Sequence, residues 1–195
     1  MRRYNPIEFD DACPAVRNIY TDYLASTNSF DVPNWLKNLG SKPPMASAYW
    51  LHVKNTLVHG QLPMILKELV IFIISVHNGS PYCASAHAHA VLSLDRSFVF
   101  EDLIELADNL DSVELPVAMR AALEFATKVA AKPSQVSSQD WEALSAVGYD
   151  DTAIEELIAI VSLAAMFNTY AISHDIPVDS GYRRFPIERH IKHPS

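Results

Sequence analysis

Three side chains between positions 68 and 87 have the types and spacing needed for thiol chemistry. Cys83 and His87 are four residues apart, so on a helix they share one face and can exchange a proton directly or through a water. Glu68 lies earlier in an apolar run, and an antiparallel return at the turn signal Asn78-Gly79 would bring its carboxylate near the pair. A nucleophile, a base and a group that orients the base are the members of an activated thiol site.

The residues just before Cys83 predict the start of a helix. Ser80 is a favourable N-cap, and Pro81 suits the first helical position because its missing N–H costs nothing there. Cys83 then occupies the third helical position, where unpaired N–H groups and the helix dipole favour a thiolate. We therefore expect the Ser80 hydroxyl to bond the Cys83 N–H, and the pKa of the Cys83 thiol to be lowered.

The same residues carry a resemblance to a known family. Glu68, eleven residues, Ser80-Pro-Tyr-Cys83, three residues and His87 resemble the active-site motif of the alkylhydroperoxidase D-like proteins in the carboxymuconolactone decarboxylase superfamily. That motif has Cys-x-x-Cys, so Ser80 stands where the family has its first cysteine, and Tyr82 stands where the founding members have an additional histidine. The resemblance implies that Cys83 attacks a peroxide with the support of His87 and Glu68, while Ser80 and Tyr82 are auxiliary.

Later segments resemble the peroxidase-related branch of this family, so that the likeness covers roughly residues 20–180. They are Ala121-Ala-Leu-Glu-Phe-Ala-Thr-Lys, Gly148-Tyr-Asp-Asp and Ala165-Met-Phe-Asn-Thr-Tyr. The resemblance implies an alkylhydroperoxidase D-like helical fold and a homo-oligomer. One domain over residues 1–195 is expected, with its core at about 20–180.

The composition also predicts an all-α protein. There are only 5 glycines, and no alternating stretch rich in valine or threonine is present to form a sheet. The spacing of apolar residues predicts eight or nine helices. They lie at about 11–25, 30–39, 45–59 (closed by Gly60), from Leu62-Pro63 onward, and at 81–94, 100–109, 115–131, 138–147 and 152–173, the last opened by a capping box at Thr152 to Glu155.

Residues 181–195 form a basic tail in an otherwise acidic chain. Arg183, Arg184, Arg189 and Lys192 lie there. The tail could clamp a neighbouring subunit, or it could be a partly ordered segment that lies on acidic surface.

Charge and cysteine count exclude several classes of protein. A net charge of -8 argues against a nucleic-acid partner, and two cysteines 70 residues apart fit reduced thiols in a cytoplasmic protein. The most apolar segments, 62–76 and 157–167, are shorter than the roughly 20 residues that a bilayer requires, and no signal peptide is evident, so neither a membrane partner nor export is expected. No metal or other cofactor is expected, because His52, His59 and His77 have no recognisable ligand spacing and His89 points to another face of the helix than His87.

Three functions remain open. The first is a one-cysteine thiol peroxidase that takes a small-molecule hydroperoxide and an external thiol or protein reductant, unless Cys13 resolves the oxidised Cys83. The second is cofactor-free acid/base chemistry on a carboxylated lactone, as in the decarboxylases, although the segment 68–89 has no arginine to bind a carboxylate. The third is a helical oligomer with a vestigial site, for which a Cys83 pKa near the free-thiol value of about 8.5 would be the signature.

Overall fold

The computed structural model describes residues 3–182, 185, 187, 190 and 191. These residues form nine α-helices and no strand, which confirms the predicted all-α class. The helices are α1 (Pro14–Thr27), α2 (Asn34–Leu39), α3 (Pro43–Val53), α4 (Met64–His77), α5 (Pro81–Leu94), α6 (Phe100–Asp108), α7 (Val117–Ala131), α8 (Ser138–Ala146) and α9 (Asp151–His174).

Helix α4 is the centre of the fold. It is apolar around nearly its whole circumference, and its residues 66–76 are all buried. It packs against α5, α7 and α9, with α5 as its most extensive neighbour. A helix buried on all sides holds its few polar residues in a low-dielectric interior. A carboxylate at Glu68 on α4 is therefore costly to bury unless it is paired or hydrogen-bonded.

A tight turn reverses the chain between α4 and α5. Asn78 caps the last turn of α4, and Gly79 takes φ +69, a left-handed conformation that a residue without Cβ adopts easily. The Ser80 N–H then donates to the Ser75 carbonyl at 2.9 Å. The return is antiparallel, as the sequence predicted, and α5 begins at Pro81 as expected.

The predicted helix over 45–59 is interrupted. Helix α3 ends at Val53, and Lys54–Val58 continue as a π-helical turn, a wider winding that frequently marks functional sites. The ammonium group of Lys67, on α4, accounts for the change. It donates to the carbonyls of Thr56 at 3.0 Å and His59 at 2.6 Å, and so satisfies the end of the turn.

Helix α9 begins one residue earlier than predicted, and its cap is different. The Asp150 side chain accepts a hydrogen bond from the Ala153 N–H at 2.8 Å, so the expected capping box at Thr152 was wrong. Among the described residues, α9 is the one helix that is long and apolar enough to cross a membrane by length and composition. Its buried face, which includes Leu157, Ile160 and Ala164, packs against α4, α5 and α7 in the way that a core helix packs.

The segment after α9 folds back onto its own chain as far as it is described. Ile187 and Ile191 are buried, and the Phe185 ring stacks on Phe100 with 5.1 Å between centroids. The basic residues at 183, 184, 189 and 192, on which the predicted tail depended, lie outside the described residues.

Candidate active site

A cavity of about 350 Å³ opens beside the start of α5. Its walls come from α1, α2, the π-helical turn, α4, α5, α9 and the short turn Ser180–Tyr182. Glu68, Cys83 and His87 all line it, and so does Tyr82. The structure therefore brings the predicted site residues to one cavity, apart from Ser80, which is fully buried beside it.

Glu68 and His87 form a short hydrogen-bonded pair. The Glu68 Oε2 and His87 Nδ1 atoms are 2.5 Å apart, and the Glu68 side chain is only 9% exposed. When the Glu68 carboxylate is ionised it can only accept, so Nδ1–H is the donor, and an imidazole in its neutral form then has its lone pair on Nε2. The pair is thus built to present a base whose orientation and tautomer are fixed by the glutamate.

Cys83 lines the same cavity, but as a protonated thiol. The residue is 3% exposed, and burial raises the pKa of the Cys83 thiol to about 12, although the neighbouring Ser80 hydroxyl lowers it somewhat. The predicted lowering of the pKa was wrong. A helix N-terminus contributes roughly 0.3–1 kcal/mol to a charge, less than one pKa unit, whereas full burial can shift a pKa by about 3–5 units.

Ser80 occupies the predicted N-cap position without making the predicted bond. Its side chain accepts no cap hydrogen bond, and its hydroxyl, fully buried, has no well-formed hydrogen-bond partner among the described residues. Its contact with the Cys83 sulfur, which favours the thiolate, falls short of hydrogen-bond geometry. The Ser80–Cys83 contact is therefore weak, and burial has the larger effect on the pKa of the thiol.

Tyr82 belongs to a second polar group at the edge of the cavity. Its hydroxyl donates to Asp179 Oδ2 at 2.7 Å, and the Asn34 N–H donates to Asp179 Oδ1 at 3.0 Å. Desolvation raises the pKa of Asp179, and burial raises that of Tyr82. Asp179 thus ties the segment after α9 to the starts of α2 and α5, which places Tyr182 in the cavity wall.

Sequence reasoning missed most of the cavity wall. Tyr23, Trp35, Phe167 and Tyr182 supply aromatic surface from α1, α2, α9 and the turn beyond α9. Trp35 and Phe167 meet edge to face with 4.8 Å between centroids, and Tyr23 meets Trp35 edge to face at 6.4 Å. No motif links these residues, because they are brought together only by the packing of helices that are distant in the chain.

Sequence reasoning also missed a buried ion pair behind the cavity. Lys67 is 2% exposed and pairs with Glu156 on α9. The Glu156 carboxylate also accepts from the Gln61 N–H at 2.8 Å, and it lies so close to Gly60, at φ +113, that a side chain there would collide with it. The pair fixes the π-helical turn and the loop after it, and this turn supplies Leu57 and Val58 to the cavity. The sequence did contain a signal for this ion pair, since Lys67 is a charged residue within an otherwise apolar helix.

The remaining candidates lie elsewhere. Cys13 is exposed at the start of α1 and does not line the cavity, and both cysteines are free. The imidazole of His77 bonds the Ala107 carbonyl at 2.6 Å, a structural role. The rings of His89 and Tyr182 are 5.1 Å apart. Among the described residues, no group of three or more His, Cys, Asp or Glu side chains could hold a metal ion.

Comparison with known proteins agrees with this architecture. Residues 43–128, which include Glu68, Cys83 and His87, match the sequence model of the Carboxymuconolactone decarboxylase family. No curated protein matches the chain. A peroxidase-related protein from Ralstonia eutropha JMP134, described as an alkylhydroperoxidase AhpD core, superposes with a TM-score of 0.82 at 23% identity, over 92% of this chain and 93% of that one.

Two further solved structures share the fold. A peroxidase-related protein from Silicibacter sp. TM1040 has a TM-score of 0.79 at 22% identity, over 93% of this chain and 94% of that one. The debrominase Bmp8 has a TM-score of 0.73 at 22% identity over 97% of both chains, and a Cys-to-Ala variant of it is known in complex with 2,3,4-tribromopyrrole. Residues 43–128 thus resemble the Carboxymuconolactone decarboxylase family, and the chain as a whole shares the fold of the alkylhydroperoxidase AhpD core and peroxidase-related proteins.

Proposed function

We propose that the protein is a thiol-dependent hydroperoxide reductase in which Cys83 is the reactive residue. One observation carries the proposal: Cys83 lines the same small cavity as the Glu68–His87 pair, whose 2.5 Å hydrogen bond leaves a basic nitrogen free. The family match and the peroxidase-related structures agree with oxidoreductase chemistry, and the geometry supplies a nucleophile, a base and an orienting carboxylate.

The first step needs no charged thiol at rest. As the Cys83 sulfur attacks the outer peroxide oxygen, His87 Nε2 takes the thiol proton and the O–O bond breaks. His87 then gives the proton to the departing alkoxide, so that the products are an alcohol and Cys83 sulfenic acid. Glu68 stabilises the imidazolium that forms in between, because its carboxylate already bonds Nδ1.

The second half returns the sulfur to its reduced state. An external thiol attacks the sulfenic acid, which releases water and leaves a mixed disulfide on Cys83, and a second thiol then releases a disulfide and the Cys83 thiol. The net reaction is one hydroperoxide and two thiols to one alcohol, one water and one disulfide. We propose a small thiol as the reductant, since Cys83 is buried and Cys13 lies outside the cavity.

The high pKa of the thiol fits a site that reacts only when it is occupied. A resting thiolate would react with any oxidant that reached it, whereas a buried thiol needs the base beside it and a substrate that accepts the proton. This arrangement favours a substrate that fits the cavity over hydrogen peroxide, which is too small to gain much binding energy from the cavity walls.

Reductive dehalogenation is a second candidate, favoured by the fold shared with the debrominase Bmp8 over 97% of both chains. The same residues would serve: the Cys83 sulfur attacks the halogen, the carbon takes the proton relayed by His87, and an external thiol displaces halide to leave a mixed disulfide. A second thiol restores Cys83, so that two thiols are oxidised for each halogen replaced by hydrogen.

The decarboxylase alternative has less support. No arginine or lysine lines the cavity within the described part of the chain, so the lining offers neither residue to pair with the carboxylate of a lactone substrate. The vestigial alternative is decided by activity. It predicts no turnover of any hydroperoxide or organic halide.

Consumption of cumene hydroperoxide with dithiothreitol as the reductant tests the proposal. We expect turnover by the wild-type chain and by Cys13→Ser, the matched control at the exposed cysteine, and none by Cys83→Ser. Turnover that survives Cys83→Ser in a folded protein, or dependence on Cys13, would overturn the assignment of Cys83. Replacing the hydroperoxide by tribromopyrrole in the same assay, with bromide release as the readout, decides between the two candidates.

A further inference from the structure

We propose that the cavity binds an uncharged substrate built on a single aromatic ring. The inference names the substrate class of the proposed reductase, whose site it shares, and therefore rests on that proposal for its catalytic meaning. The observations behind it are the aromatic walls of the cavity, its volume and the sign of the charges around it.

The walls are suited to an aromatic ring. Tyr23, Trp35, Tyr82, Phe167 and Tyr182 surround the cavity from five different parts of the chain. The edge-to-face contacts between Trp35 and its neighbours Phe167 and Tyr23 fix the ring orientations. Because aromatic pairs gain attraction beyond the area that they bury, such a wall distinguishes a planar ring from a saturated ring of the same size.

The volume limits the size of the ligand. An engineered apolar cavity of roughly 150 Å³ holds one benzene molecule. The volume of about 350 Å³ is a little more than twice that, enough for one ring together with its substituents and the reacting group. It lies at the small end of the roughly 300–1,000 Å³ typical of ligand pockets.

The charges around the cavity are negative. Glu68 lines it, and Asp179 lies directly behind Tyr82. Both negative charges act on Tyr182: burial raises the pKa of its hydroxyl most, and the charges of Asp179 and Glu68 raise it further. A substrate with a carboxylate would meet no lysine or arginine in the described lining, and the His87 imidazole is already paired with Glu68. Such a group is costly to desolvate unpaired.

Binding of three small probes to the Cys83→Ser chain tests the inference without any turnover. Benzyl alcohol and cyclohexylmethanol have the same number of heavy atoms and the same polar group, and benzoate adds the charge. We expect benzyl alcohol to bind about three- to tenfold more tightly than cyclohexylmethanol by NMR titration, and benzoate to bind at least about 100-fold more weakly. Since cyclohexylmethanol is the more apolar alcohol, a cavity that is merely hydrophobic would prefer it. Preference for cyclohexylmethanol, tight binding of benzoate, or no binding of any probe would overturn the inference.

A matched pair of variants links the selectivity to the cavity. Phe167→Leu removes an aromatic ring from the wall, whereas Phe125→Leu removes a buried ring on α7 that does not line the cavity. We expect the preference for benzyl alcohol to be lost in Phe167→Leu and kept in Phe125→Leu, and an unchanged preference in both would contradict the assignment. If the probes bind as expected while the wild-type chain reduces no hydroperoxide, the reductase proposal fails and the ligand class stands. If the wild-type chain reduces hydroperoxide but the probes do not show this selectivity, the ligand class fails and the reductase proposal stands.

Discussion

The pH dependence of Cys83 alkylation follows directly from its burial. Burial raises the pKa of the thiol to about 12, five pH units above neutrality, so roughly one molecule in 10⁵ carries the thiolate at pH 7. A free cysteine of pKa about 8.5 is roughly 3% ionised at that pH. The thiolate fraction of Cys83 is therefore about 3,000-fold smaller than that of an unperturbed thiol.

Alkylation by iodoacetamide, followed by peptide mass spectrometry, measures this difference. The method separates Cys83 from the exposed Cys13, and a short cysteine peptide serves as the reference. Since only the thiolate reacts, we expect the rate at Cys83 to rise about tenfold per pH unit from about pH 6 to about pH 10 without a plateau. At pH 7 the rate should be at least about 1,000-fold below that of the reference peptide.

The slope of the alkylation rate against pH, rather than the rate itself, tests the pKa of Cys83, because burial also slows the access of iodoacetamide to the sulfur. Limited access lowers the rate at every pH but leaves the shape of the profile unchanged. In urea the profile of Cys83 should take the plateau of an ordinary thiol, which serves as the control. A plateau below about pH 8 in the folded protein would show a thiolate at rest and would refute the reasoning.

Further predictions concern the groups around the thiol. His87→Ala should lower kcat about 10²- to 10⁴-fold, and Glu68→Gln by a smaller factor, with the thermal unfolding midpoint recorded to show that both variants fold. Lys67→Met should lower the free energy of unfolding in urea by about 3–5 kcal/mol, because it leaves the Glu156 carboxylate without its buried cation; a loss below about 1 kcal/mol would contradict this. Asp179 has a raised pKa in the folded state, so the folded state binds its proton more tightly and loses stability as pH rises through that pKa. The stability of Asp179→Asn minus that of wild type, measured by thermal unfolding, should therefore increase from about pH 3 to about pH 7. The same difference at both pH values would speak against the raised pKa.

Local signals predicted the frame of the site. The turn at Asn78-Gly79 and the Ser80-Pro81 start place α5 at Pro81–Leu94, the range expected from the sequence. With an antiparallel return of α4, these signals allowed Glu68 to lie near His87 but did not fix the distance, which the structure gives as 2.5 Å between Oε2 and Nδ1. Such features depend on residues close together in the chain, where backbone preferences dominate.

The state of the thiol could not be predicted in this way. Position in the first turn of α5 favours a thiolate, but the fold buries Cys83, and the cost of desolvation is several times larger than the contribution of the helix dipole. The aromatic wall and the pair between Lys67 and Glu156 also depend on packing between helices distant in the chain. Sequence patterns report which residues are apolar, not which of their rings meet.

Trapping of the oxidised sulfur tests most directly whether Cys83 reacts inside the cavity with the help of His87. The chain is exposed to one equivalent of cumene hydroperoxide in the presence of dimedone, and each cysteine peptide is analysed by mass spectrometry. We predict a dimedone adduct at Cys83 in the wild-type chain, a much slower one in His87→Ala, and none at Cys13 on the same timescale. An unmodified Cys83, or an adduct that forms equally fast without His87, would contradict the account.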